Sequence, residues 1–195
     1  MTSDLASETP IAEYSHTPKP FGAGIRFALH ADSLEIADHR RTTRIALSSI
    51  GVVRLTYELR HVMTRGFRAR LMPAGRRSVA LTDLSYRSMI DTENKSLSYR
   101  AFIKALLPAI ARANPACRFV AGRARPVWIA MALVTAAMLA GVSYGSARLA
   151  AQASAPVAIG AIAFAILLSW VTIDLVVRNR PRTFDPDNPP ADLLP

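Results

Sequence analysis

Cysteine occurs once, at Cys117, so no intrachain disulfide can form, and a reducing compartment suits the chain. The four histidines, His16, His30, His39 and His61, show no metal-ligand spacing, and Cys117 has no cysteine nearby; neither a metal nor a cofactor is expected. Phosphate-loop, dinucleotide and nucleophile-elbow motifs are missing too, so the chain reads as non-enzymatic, with no catalytic residue. The first 20 residues have neither a basic start nor an apolar core, and no cleaved secretory signal is expected. Lysine is scarce as well. Of 24 basic residues only Lys19, Lys95 and Lys104 are not arginine, a bias that a GC-rich genome also produces.

Charge itself is missing from two long stretches. Residues 126–147 carry none, and neither do residues 149–173. About 20 apolar residues cross a hydrocarbon core of about 30 Å. Two transmembrane helices are therefore expected, over 126–147 and 155–177, joined by a short loop over roughly 148–154. Arg118, Arg123 and Arg125 precede the first run, Arg178, Arg180 and Arg182 follow the second, and only Arg148 lies between. By the positive-inside rule both termini are cytoplasmic, as in a multi-pass protein of a bacterial inner membrane. Trp128 and Trp170 fall near the cytoplasmic boundaries, where interfacial aromatics gather. Asp174 stands four residues before Arg178, the spacing of a helical ion pair. Ala137, Gly141 and Gly145 on one helix and Ala161, Ala165 and Ser169 on the other recur every four residues. Such stripes let helices approach closely, and they are assigned to packing within the hairpin, with self-association or docking to another membrane protein as the alternative.

The remaining charge is uneven. Residues 21–125 hold 19 Lys/Arg against 7 Asp/Glu; residues 1–20 hold one against three, and residues 126–195 four against four. Residues 1–20, with Pro10, Pro18 and Pro20, are expected to be disordered, as is the Pro-rich tail over 178–195, where Leu193 and Leu194 could dock on the soluble domain or on a partner. Between them the apolar residues alternate. Ile25, Phe27 and Leu29, then Leu34 and Ile36, then Val53, Leu55, Tyr57 and Leu59, then Phe67, Ala69 and Leu71, then Val79 and Leu81 mark strands of period two. With Arg44–Leu47 about six antiparallel strands are expected. The period then changes: Tyr99, Phe102, Ile103, Leu106 and Ile110 lie on one face of an amphipathic helix starting near residues 96–98, where a serine could cap it, with Pro108 near its end.

Antiparallel strands, one closing helix, then membrane: this order, over 21–122, resembles a pleckstrin-homology (PH)-like domain. The residues that carry the likeness are Leu34-Glu35-Ile36, the strand Ile50-Gly51-Val52-Val53-Arg54-Leu55 and the helix Tyr99-Arg100-Ala101-Phe102-Ile103-Lys104-Ala105-Leu106. With the tail Asn179-Arg180-Pro181-Arg182-Thr183-Phe184-Asp185-Pro186, the plan is similar to bacterial membrane proteins of unassigned function that carry such a domain. The resemblance implies an α+β chain: an antiparallel β-barrel or sandwich closed by a C-terminal helix, followed by a transmembrane hairpin.

The surface candidate is an arginine cluster, Arg54, Arg60, Arg65, Arg68, Arg70, Arg76 and Arg77. Alternation turns Arg54, Arg68 and Arg70 away from the core. Anionic lipid head groups are the expected ligand, since the tether keeps the domain near the leaflet; a solvated basic face is the alternative. Nucleic acid is not expected, because the nearby aromatics, Tyr57 and Phe67, lie on the apolar face. The function expected is recruitment or regulation of an unknown membrane-protein partner. The rivals are an accessory transmembrane subunit of a transporter or envelope complex, and an enzyme whose site forms only in three dimensions.

Overall fold

A computed structural model describes residues 9–18, 22–61, 64–86, 92–152 and 154–195. The chain is α+β and divides into two units, residues 1–121 with 182–195 and residues 122–181.

The first unit starts with a four-stranded antiparallel meander in the order β1-β2-β3-β4: β1 (Ala12–His16), β2 (Ile25–Leu29), β3 (Ser33–Ala37) and β4 (Thr42–Ala46). Within the segment expected to be disordered, β1 is thus a strand. Its alternation is short but complete: Tyr14 and His16 are buried while Glu13 and Ser15 are exposed. Tyr14 also donates a hydrogen bond to the Thr82 carbonyl. At the β3–β4 turn the Asp38 carboxylate accepts from the amides of Arg40 and Arg41, at 2.6 and 3.3 Å, an Asx turn that fixes the register.

A second sheet follows: β5 (Ile50–His61), β6 (Thr64–Pro73) and β7 (Val79–Thr82), with a two-stranded pair β8 (Leu84–Tyr86) and β9 (Thr92–Asn94) beyond it. Helix α1 (Ser96–Ala113) comes next and buries Tyr99, Phe102, Ile103, Leu106 and Ile110, the expected face, together with Leu107 and Ala109. Its N-cap is Lys95 rather than a serine, no side chain caps it, and the helix continues past Pro108 to Ala113. After α1, β10 (Arg118–Ala121) pairs parallel to β5.

The second unit is a hairpin of α2 (Arg125–Gln152) and α3 (Ala155–Arg178). Helix α2 runs five residues past the expected 147, because Ala147 to Gln152 holds no helix breaker, which shortens the connection to residues 153 and 154. Both helices are long and apolar enough to cross a membrane. Their large apolar side chains are bare: Leu133, Phe164 and Trp170 are 66%, 63% and 75% exposed. A surface of this kind calls for an apolar surrounding. The Trp128 indole donates to the Val176 carbonyl at 2.8 Å, and Asp174 pairs with Arg178 at 2.7 Å, the expected i,i+4 contact. Gly122, at φ +77°, stands against the carbonyls of Asn179 and Arg180, where any side chain would collide with backbone.

Back in the first unit, β11 (Arg182–Thr183) pairs antiparallel with β10, giving the order β11-β10-β5-β6-β7. The tail expected to be disordered is thereby ordered. Phe184 meets the Phe119 ring edge-on, Arg182 pairs with Asp192, and Leu193 and Leu194 are buried, so docking on the first unit supplies the apolar burial that composition alone does not promise. The ladders remain separate sheets, and no closed barrel forms among the described residues.

Candidate functional site

The seven arginines separate into two places. On β5 and β6, Arg54 lies directly opposite Arg70 in the antiparallel register. Both point away from the face that buries Val53, Leu55, Ala69 and Leu71. The parallel strand β10 brings a third, Arg118, beside Val52 on the neighbouring strand. Like charges directly opposite across a ladder repel. Partial burial, with Arg70 and Arg118 close by, holds the Arg54 guanidinium below the usual arginine range. Arg68 occupies the same outward row but binds Glu58 at 2.7 Å and is neutralised there. The basic face is therefore Arg54, Arg70 and Arg118.

Arg76 and Arg77 lie elsewhere, on the β6–β7 turn, where Gly75 takes φ +68°. They line an open groove of about 1070 Å³ together with Arg41 and Arg44 at the edge of the meander. Arg44 pairs with Glu35 at 3.0 Å, and Arg76 donates to the Arg44 carbonyl at 3.1 Å. The side chains of Arg60 and Arg65 lie outside the described residues.

Sequence reasoning missed Arg41, Arg44 and Arg118 as members of these patches. The alternation of Arg44-Ile45-Ala46-Leu47 already turns Arg44 outward. The pairing of Arg118 with a strand more than 60 residues earlier leaves no local trace. A further groove, of about 680 Å³, borders the start of α1 beside Lys95, Ser96 and Ser98, and there Glu13 neutralises Arg26.

On the hairpin the residues of the expected seam differ in exposure. Ala161, Ala165 and Ser169 are half-buried, whereas Ala137, Gly141 and Gly145 are exposed. The stripe of α2 that is partly covered consists of Trp128, Met131, Ala132, Thr135, Met138, Leu139, Val142 and Ser146. Both covered stripes mix small and larger side chains, with Leu168, Val171, Leu175 and Val176 on α3 beside Ala161, Ala165 and Ser169.

Among the described residues no three of His, Cys, Asp and Glu gather as a metal site. The Cys117 thiol is buried, which raises its pKa and makes it a poor nucleophile. No family model, curated protein or solved structure matches the chain.

Proposed function

We propose that this chain is a non-catalytic, membrane-anchored binding protein that recruits or regulates a partner at the inner face of a bacterial membrane. Its domain follows a PH-like plan, and its basic sheet face rests on anionic lipid head groups. The carrying observation is the outward cluster of Arg54, Arg70 and Arg118, a self-repelling arrangement in a chain that also has two helices of membrane-crossing length. The PH-like plan is supported by a meander, a second sheet and a helix in that order; the open ladders and the parallel β10–β5 pair depart from it. Each arginine near an anionic leaflet contributes about 1 kcal/mol. Three give about 3 kcal/mol, weak alone but sufficient when an anchor supplies the local concentration.

An accessory transmembrane subunit is the second reading, favoured by the exposed Ala137, Gly141 and Gly145 on α2. The test uses the full chain in nanodiscs, with Cys117→Ser and a polarity-sensitive dye on Thr56→Cys, a position beside Arg54 on the basic face. Emission should shift blue in anionic relative to neutral lipid, relax with salt, and show no shift after Arg54, Arg70 and Arg118 are changed to Gln. Identical emission in both lipids would refute the leaflet contact. Crosslinking in native membranes then separates the two readings: a partner held equally well by residues 122–181 alone would move the function to the hairpin.

A further inference from the structure

The groove beneath Arg76 and Arg77 is a second basic place, distinct from the sheet face. It runs between two edge strands. β4 ends the meander and β7 ends the second sheet, so among the described residues each has one side without a strand neighbour. Residues facing the interior are only half covered here. Ile36 shares the inward face of β3 with Leu34, which is fully buried, yet Ile36 and, across the groove, Val79 remain partly exposed. Ile36 and Val79 thus give the groove an apolar part, beside Thr42, Thr43 and Ser78. Its rim is cationic: Arg41, Arg44, Arg76 and Arg77 contribute four positive charges, and Glu35 answers one of them. No carboxylate among the described residues pairs with Arg41, Arg76 or Arg77. On β4 the Arg44 carbonyl points out of the meander and receives a guanidinium, not a backbone amide.

We propose that this groove takes an extended acidic segment of a partner protein as an added strand, with its apolar side chains on Ile36 and Val79 and its carboxylates on the arginine rim. The proposal rests on the reading of the domain as a binding module and names its partner's chemistry. Three features favour a strand over a small anion. The groove follows β4, a five-residue strand about 17 Å long. Its lining includes the half-exposed Ile36 and Val79, which a phosphate does not need. Its walls are strands β4 and β7, each last in its sheet among the described residues, and an edge strand is the element by which strand addition gains affinity, while pockets and charges give selectivity. Arginine's planar fork suits carboxylates well. Charged side chains also guard exposed edges against unwanted pairing, and a guard of this kind would admit only a strand of opposite charge.

The probe is a fluorescein-labelled octapeptide of alternating valine and glutamate, titrated by anisotropy against the full chain in neutral-lipid nanodiscs. Saturable binding is expected, with loss of about tenfold or more when every second amide is N-methylated, which removes strand donors and keeps all charges. The same loss is expected when lysine replaces glutamate, and in the variant Arg41→Gln with Arg77→Gln, which leaves the Arg76–Arg44 link intact. Equal binding of the N-methylated peptide would overturn strand addition. Displacement of the peptide by micromolar pyrophosphate or by a single-stranded oligonucleotide would reassign the groove to phosphate and overturn the proposal as well. No binding at all would also overturn it, and the lipid-dependent emission at position 56 reports separately whether the anchored-module reading stands.

Discussion

At the scale of single residues, the interior of the first unit is aromatic and polar at once. Tyr14 stacks near His16 and Phe27 and meets Tyr99 edge-on at 5.8 Å, with the buried Asp83 carboxylate accepting from the Phe67 amide at 2.8 Å. Burial raises the pKa of both phenols above the usual tyrosine value, and the charge of Asp83 adds to the effect. The sign follows directly. The folded state favours the neutral phenol, so the stabilisation is complete below the unfolded value of about 10 and is lost as pH climbs beyond it. Stability should therefore fall from about pH 10 upward, and Tyr14 and Tyr99 should ionise only as the domain opens. Absorbance at 295 nm followed together with far-UV circular dichroism checks this, with Tyr14→Phe and Tyr99→Phe to identify the late step. Ionisation of both groups with the dichroism intact would show that they are not sealed.

At the scale of elements, β10 and β11 bracket the hairpin in sequence and pair with each other, with Ala121 opposite Arg182 as the last register. A two-residue Asn-Gly turn closes an antiparallel pair of this kind. Replacing residues 122–181 by Asn-Gly should therefore yield a monodisperse protein that needs no detergent, rich in β-structure with one helix. Aggregation relieved only by detergent would mean that the first unit depends on the hairpin. The same elements show what the sequence disclosed. The α1 face was legible because a 3.6-residue stripe of large apolar side chains has one interpretation, and Tyr99, Phe102, Ile103, Leu106 and Ile110 all lie buried. Strands β2 to β7 were legible from alternation. β1 was not, because Tyr14 and His16 lie in a polar segment with Pro10, Pro18 and Pro20, a composition that reads as disorder and outweighs a short alternation. β11 and the buried Leu193 and Leu194 escaped for a different reason: their order comes from a surface made elsewhere in the chain. Of the candidate sites, outward Arg54 and Arg70 were readable from alternation. The convergence with Arg118 and the groove with Arg41 and Arg44 depend on how distant strands pair.

At the scale of the whole molecule, the arginines before α2 and after α3, against the single Arg148 between them, give one expected topology. Reporters fused after residue 120 and after residue 182 should both read cytoplasmic, and one near Gln152 should read on the opposite side. A fusion at either of the first two sites reading outside would sink the two-span arrangement. The pairing of β10 with β11 also orders events in time. A ribosome makes the chain from its N-terminus, so β10 emerges with its outer edge bare and stays so until some 60 further residues have been added, both apolar helices among them. The strand that covers that edge, and the leucines that seal the tail, are translated only after both apolar helices. The sheet can therefore be completed only after both apolar helices have been translated, and a chain that stalls within them carries an open strand edge by which quality control could recognise it.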